Sequence, residues 1–161
     1  TNESSCRGHE SITIPEKVRI DGKVYVVTSI GEYAFIASGL ISVNIPEEVT
    51  SIGASAFSYC SNLTSVIIPE SVTTIGASAF DGCKSLTSIK IPESLTSIGY
   101  AAFLECSSLT SIKIPDGVTS IGKYAFENCE KLDVVIDNSE KNVKVGANAF
   151  KNCKSVTWLK D

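Results

Sequence analysis

Methionine is absent from the 161 residues, and histidine and tryptophan occur once each. Each scarcity removes a class of chemistry. The one imidazole, His9, sits in a polar leader with no rigid element around it, so a Ser/His/Asp arrangement has hydroxyls and carboxylates but no placed base. No Gly-rich phosphate loop occurs, and no CxxC pair signals a metal site. No apolar run reaches the roughly 18 residues of a membrane helix, so this segment is not expected to insert into a membrane. Thr1 to Glu10 lacks the basic and apolar blocks of a signal peptide, and a chain without an initiating Met is expected to start after processing or at an artificially cut boundary. Excess charge is missing as well. With 14 Lys+Arg against 18 Asp+Glu, the net charge of -4 has the wrong sign for a nucleic-acid surface.

What the sequence has is a repeat. Ile-Pro occurs at 45/46, 68/69, 91/92 and 114/115, and Ile-Gly at 52/53, 75/76, 98/99 and 121/122, so each recurs every 23 residues. Ala-Phe at 34/35, 56/57, 79/80, 102/103, 125/126 and 149/150 marks six copies. A period in the twenties means one supersecondary unit per repeat, stacked so that neighbours bury a core none could bury alone. With 43% hydrophobic residues, the chain has material for one such domain.

The third copy shows how a coil is expected to run. Leu63-Thr64-Ser65-Val66-Ile67-Ile68 fits the LxxLxL signature of leucine-rich repeats, a strand with Leu63, Val66 and Ile68 inward. Pro69 lacks an amide hydrogen and stops the ladder, and Val72 and Ile75 return to the core. Gly76 allows a left-handed or tightly packed corner, and Ala77 to Phe80, on to Cys83, suits a short helix on the opposite face. The fold expected is a repeat solenoid with a parallel β-sheet on its concave face and short helices or turns on its convex face.

Residues 1–10 read as a polar leader and 11–161 as one domain. Within it, 11–30 reads as an N-terminal cap, because Val18 to Ile20 and Lys23 to Val27 flank Asp21-Gly22, a dipeptide suited to a tight hairpin turn. Five of six cysteines, Cys60, Cys83, Cys106, Cys129 and Cys153, occupy one repeat position. Stacked in parallel they point alongside one another, so buried free thiols are expected over disulfides. Cys6 has no rung, and the equivalent place in the first copy is near Ser38.

The string IPxxVTSIGxxAFxxCxxLTSIxIP, with the hairpin-like lead-in ending in VTSIGEYAF, resembles the BspA-type leucine-rich repeats of bacterial surface proteins, a family also found in some protozoa. The resemblance covers about residues 11 to 159. It implies a curved right-handed solenoid, export to the cell surface or beyond, and roles in adhesion or in binding extracellular macromolecules. It carries over no catalytic residue, and no enzyme activity is expected.

Acidic residues after proline, Glu16, Glu47, Glu70, Glu93 and Asp116, form an edge column that could hold Ca²⁺. Calcium takes about 6 to 8 oxygens and each coil offers one side chain, so neither a metal nor a cofactor is expected. The outward face of the sheet is the better binding candidate. One column is expected to contain Ser42, Ser65, Ser88, Ser111, Val134 and Trp158, the other Asn44, Ile67, Lys90, Lys113 and Ile136. The ligand-binding set is therefore Ile67, Ser88, Lys90, Ser111, Lys113, Val134, Ile136 and Trp158. The stacked lysines would welcome an anionic group, and Trp158 beside two aliphatics would suit a protein or a sugar ring, or serve as a C-terminal cap. The expected partner is an extracellular protein, with a glycan or a ligand-free spacer role as alternatives. A monomer is expected, a weak dimer through the C-terminal patch being the alternative.

Overall fold

The computed structural model describes residues 10–161. The leader segment 1–9, with Cys6 and His9, lies outside the described residues. In chain order the strands are β1 (Ser11–Thr13), β2 (Lys17–Ile20), β3 (Lys23–Val26), β4 (Ser29–Ile30), β5 (Ser42–Asn44), β6 (Ser51–Ile52), β7 (Ser65–Ile67) and β8 (Thr74–Ile75). They continue as β9 (Ser88–Ile89), β10 (Ser97–Ile98), β11 (Ser111–Ile114), β12 (Ser120–Ile121), β13 (Asp133–Ser139), β14 (Lys144–Val145) and β15 (Ser155–Lys160). One 3-10 turn, η1 (Glu140–Asn142), joins β13 to β14.

The chain alternates between two parallel sheets, one of seven strands in the order β1-β5-β7-β9-β11-β13-β15 and one of six in the order β14-β12-β10-β8-β6-β4. Each coil gives one strand to each, which makes a β-solenoid of about six turns. Register advances by whole repeats: Ser42 pairs with Ser65, Ser65 with Ser88 and Ser88 with Ser111. Period-two alternation then sends Val43, Val66, Ile89 and Ile112 inward, all buried, and the residues between them outward.

Pro46, Pro69, Pro92 and Pro115 open the turn between the sheets. Their carbonyls accept from the amides of Val49, Val72, Leu95 and Val118 at 3.1 Å, which brings those side chains back to the core. The corner glycines sit in ordinary backbone, not the left-handed region; what demands glycine is close approach. A Cβ on Gly76 would lie 2.8 Å from the carbonyl carbon of Gly53 in the preceding coil.

The expected convex helix does not form. From Ala56 to Cys60 the amides alternate between three-residue turns and the next coil: Cys60 donates to the Phe57 carbonyl at 3.2 Å, whereas Phe57 donates to that of Ala79 at 2.8 Å. Phe80 and Phe103 likewise donate to Ala102 and Ala125. Amides committed to a neighbouring coil cannot bond four residues back, and left-handed φ at Ser55, Tyr59, Ser78 and Ala101 interrupts any helix. This side is a stack of turns.

The core is made of columns. Phe35, Phe57, Phe80, Phe103, Phe126 and Phe150 stack with centroids 5.2 to 5.8 Å apart and planes within 11°. Cys60, Cys83, Cys106, Cys129 and Cys153 are free thiols, and each donates to the carbonyl of the Phe one coil back, at 3.0 to 3.2 Å. This hydrogen bond is a reason for cysteine over alanine at the position. Ser38 occupies the rung before Cys60, with its hydroxyl 3.2 Å from that sulfur.

At the N-terminal end β1 is the first rung, pairing with β5. The expected hairpin forms between β2 and β3, with Asp21 and Gly22 at φ 48° and 77° in a turn that matches strand twist. It pairs with no other strand, and Ile20, Val24, Tyr25 and Val26 are exposed. Among the described residues the hairpin forms a two-stranded sheet of its own, and Val27 just after it packs against the core.

Candidate functional site

The outward face of the seven-stranded sheet carries side chains that the core does not use. Along the first column run Ser11, Ser42, Ser65, Ser88, Ser111, Asp133 and Ser155, joined rung by rung through the strand register. In the second stand Thr13, Asn44 and Ile67, then Lys90 one step beyond β9, then Lys113, Val135 and Thr157. Ser65, Ser88, Ser111, Ile67, Lys90 and Lys113 are all exposed, Ile67 by 67%. An open depression of about 350 Å³ lies over Ser88, Lys90, Glu93, Ser111 and Lys113.

The C-terminal part of the expected face is corrected. Val134 and Ile136 are fully buried, and Trp158 pairs in register with Ile136 on the inward column, half-buried against the core. The cause is a missing residue. Ser111 pairs with Asp133, so β13 starts one position after Leu132, whereas β11 starts two after Leu109. The side chains that follow along β13 change faces. The outward positions are therefore Asp133, Val135 and Asp137, and the three-residue apolar patch invoked for a dimer does not exist. The alternation Asp-Val-Val-Ile-Asp was the signal that could have revealed this.

The lysines are not bare cations either. Lys90 donates to Glu70 at 2.6 Å, and the same carboxylate accepts the amide of Glu93 at 2.9 Å. These bonds hold the Glu70 pKa below, and the Lys90 pKa above, their ordinary values. Lys113 and Lys160 both reach Asp137 at 3.2 Å, and Lys160 also reaches Asp116 at 3.4 Å. Asp133 takes Lys154 and the Ser155 hydroxyl, each at 2.6 Å. The face is a row of hydroxyls beside paired charges, with Ile67 as its apolar point.

Two of the edge carboxylates, Glu70 and Asp116, are thus engaged by lysines, and no cluster of three or more metal-ligating side chains occurs among the described residues. The thiols are poorly suited as nucleophiles. Burial raises the pKa of Cys60 and Cys83, and pushes that of Cys153, the most accessible, up to about 12. No helix of the described residues is long and apolar enough to cross a membrane.

Comparison with known proteins agrees with this architecture. The sequence model of the BspA type leucine rich repeat region matches residues 28–157, in six copies. Among solved structures, the leucine rich repeat protein TpLRR of T. pallidum is 28% identical, with a TM-score of 0.74 over 93% of this chain and 73% of that one. A leucine rich cell surface protein of Faecalibacterium prausnitzii is 31% identical, with a TM-score of 0.74 over 96% of this chain and 49% of its own. The pneumococcal vaccine antigen PcpA, 24% identical, shares the fold with a TM-score of 0.78 over 99% of this chain and 42% of its own. The chain thus spans less than half the length of the last two. No curated protein matches it.

Proposed function

The chain belongs to the BspA-type leucine-rich repeat family, and from that premise we propose that it is a non-catalytic interaction module, displayed at the cell surface or secreted, that binds a protein through the outward face of its seven-stranded sheet. The observation that carries this reading is the exposed strip of Ile67, Ser65, Ser88, Ser111, Lys90 and Lys113, set on a rigid sheet and free of core duty. Repeat proteins bind along such extended surfaces. A solvated apolar point among hydroxyls and paired charges suits a protein surface, where one anchor supplies affinity and the polar rim supplies register. Balanced charge disfavours a purely anionic partner. The surface location is supported by the named cell-surface relative.

The test is capture against a panel of extracellular-matrix proteins by the unaltered chain and by Ile67→Ser/Lys90→Ser/Lys113→Ser. These side chains are exposed, so the variant should keep its far-UV spectrum and lose about tenfold or more in affinity for the captured protein. Undiminished capture by a folded variant would move the interface off this face.

A further inference from the structure

The charge left unpaired on the sheet face is negative. The depression over Ser88, Lys90, Glu93, Ser111 and Lys113 lies in the middle of the array, on β9 and β11, which have a neighbouring strand on each side. Both of its lysines are committed, Lys90 to Glu70 at 2.6 Å and Lys113 to Asp137 at 3.2 Å. Glu93 is not. Its amide is taken by Glu70, while its exposed carboxylate joins no ion pair among the described residues. Around the depression Lys90, Lys113 and Lys160 stand against Glu70, Glu93, Asp116 and Asp137, so the local balance is acidic, as is that of the whole chain at -4.

The floor adds acceptors. Thr87 and Thr110 donate their hydroxyls to the Thr64 and Thr87 carbonyls of the preceding coil, at 3.5 and 3.4 Å, whereas Ser88 and Ser111 keep theirs exposed. Ile67, the apolar point of the face, stands one rung before Lys90 in the same column.

Resting on the reading that this face binds a protein, we propose that the partner offers a basic side chain, arginine or lysine, that seats in the depression against Glu93 and the Ser88 and Ser111 hydroxyls, beside an apolar side chain packed on Ile67. A cation there gains a carboxylate without breaking an existing pair. An acidic side chain would have to compete with Glu70 for Lys90 or with Asp137 for Lys113, and would meet Glu93 as a like charge. The stacked lysines taken alone favour an anion, but their counter-ions reverse that preference. Arginine suits the place best, because its planar fork can serve the carboxylate and a hydroxyl together.

The probe is a phage-displayed library of random linear peptides, panned on the chain. Selected peptides should carry Arg or Lys within about three positions of an aliphatic or aromatic residue, since one rung is about 4.8 Å and one extended residue about 3.4 Å. In calorimetry the consensus peptide should bind Glu93→Gln about tenfold more weakly than the unaltered chain, and should bind the chain more weakly as salt is raised. Glu93 is exposed and its backbone amide is kept, so the variant should retain its far-UV spectrum. A library yielding no binder, a consensus rich in Asp and Glu, or peptides that lose affinity with Ile67→Ser but not with Glu93→Gln would overturn this inference and leave the sheet-face reading in place. Peptides indifferent both to Glu93→Gln and to Ile67→Ser/Lys90→Ser/Lys113→Ser would count against the two together.

Discussion

An added methyl at Gly99 would sit 2.6 Å from the carbonyl carbon of Gly76, whereas at Gly31, which has no coil before it on this sheet, it would meet nothing within 4 Å. The same residue type in the same repeat position thus answers to different demands. Gly99→Ala must push backbone against backbone and should destabilise by about 1 to 3 kcal/mol, while Gly31→Ala should lie within about 0.5 kcal/mol of the parent, both read from urea unfolding. Equal effects would mean that glycine is required for conformation and not for approach. The spacing of Ile-Gly pairs locates all these corners but cannot distinguish them, because the distinction lies in the neighbouring coil. The cysteine column behaves likewise: its periodicity implies stacking, but the thiol donating to the preceding Phe carbonyl is visible only once coils are placed in contact.

Strand β13 shows what one deletion does to an element. Dropping a residue after Leu132 turns Val134 and Ile136 inward, brings Asp133 and Asp137 outward, and puts Asp137 where earlier coils have proline. Without that proline β13 runs on to Ser139 and draws Lys113 and Lys160 onto Asp137. The Asp137 pKa lies below its ordinary value because these two lysines hydrogen-bond the carboxylate, and Asp133 is lowered by Lys154 and Ser155. A carboxyl with a folded pKa below its unfolded one, about 3.9, stabilises the fold above that value and ceases to as pH falls through the folded pKa. Stability should therefore decline as pH is lowered below about 4, and Asp137→Asn should lessen that decline. The check is the urea midpoint at neutral pH and at pH about 3; an unchanged acid limb in the variant would show that the lysine pairs do not couple to folding. Since both lysines remain solvated, the effect at neutral pH should be small.

Across the whole molecule the strands of each parallel sheet pair only with those of adjacent coils, Lys160 reaching Asp116 two coils away being an exception, so stability is close to a sum of nearest-neighbour terms and not one closed core. Phe57, Phe80, Phe103 and Phe126 are fully buried, whereas Phe35 and Phe150 at the two ends of the stack are partly exposed. Hydrogen exchange should follow that gradient, with the amides of Phe80 and Phe103 slowest and those of Phe35 and Lys151 fastest. Uniform exchange would mean that the coils open as one unit. The binding reading also belongs to this scale, since a linear array offers a long face to a partner.

Taken alone, the sequence determined the solenoid, the number of its coils, the inward columns of Ile, Val, Ala, Phe and Cys, and the hairpin at Asp21-Gly22, because each of these follows from a local period or a turn dipeptide. It did not determine the convex side, where bonds to the next coil displace the helix that local propensity favours. Nor did it place the last strand, since a face is set by pairing register and a single missing residue reverses it. The counter-ions of Lys90 and Lys113 belong to the same class. They join residues about one coil apart, a proximity created only when coils are stacked.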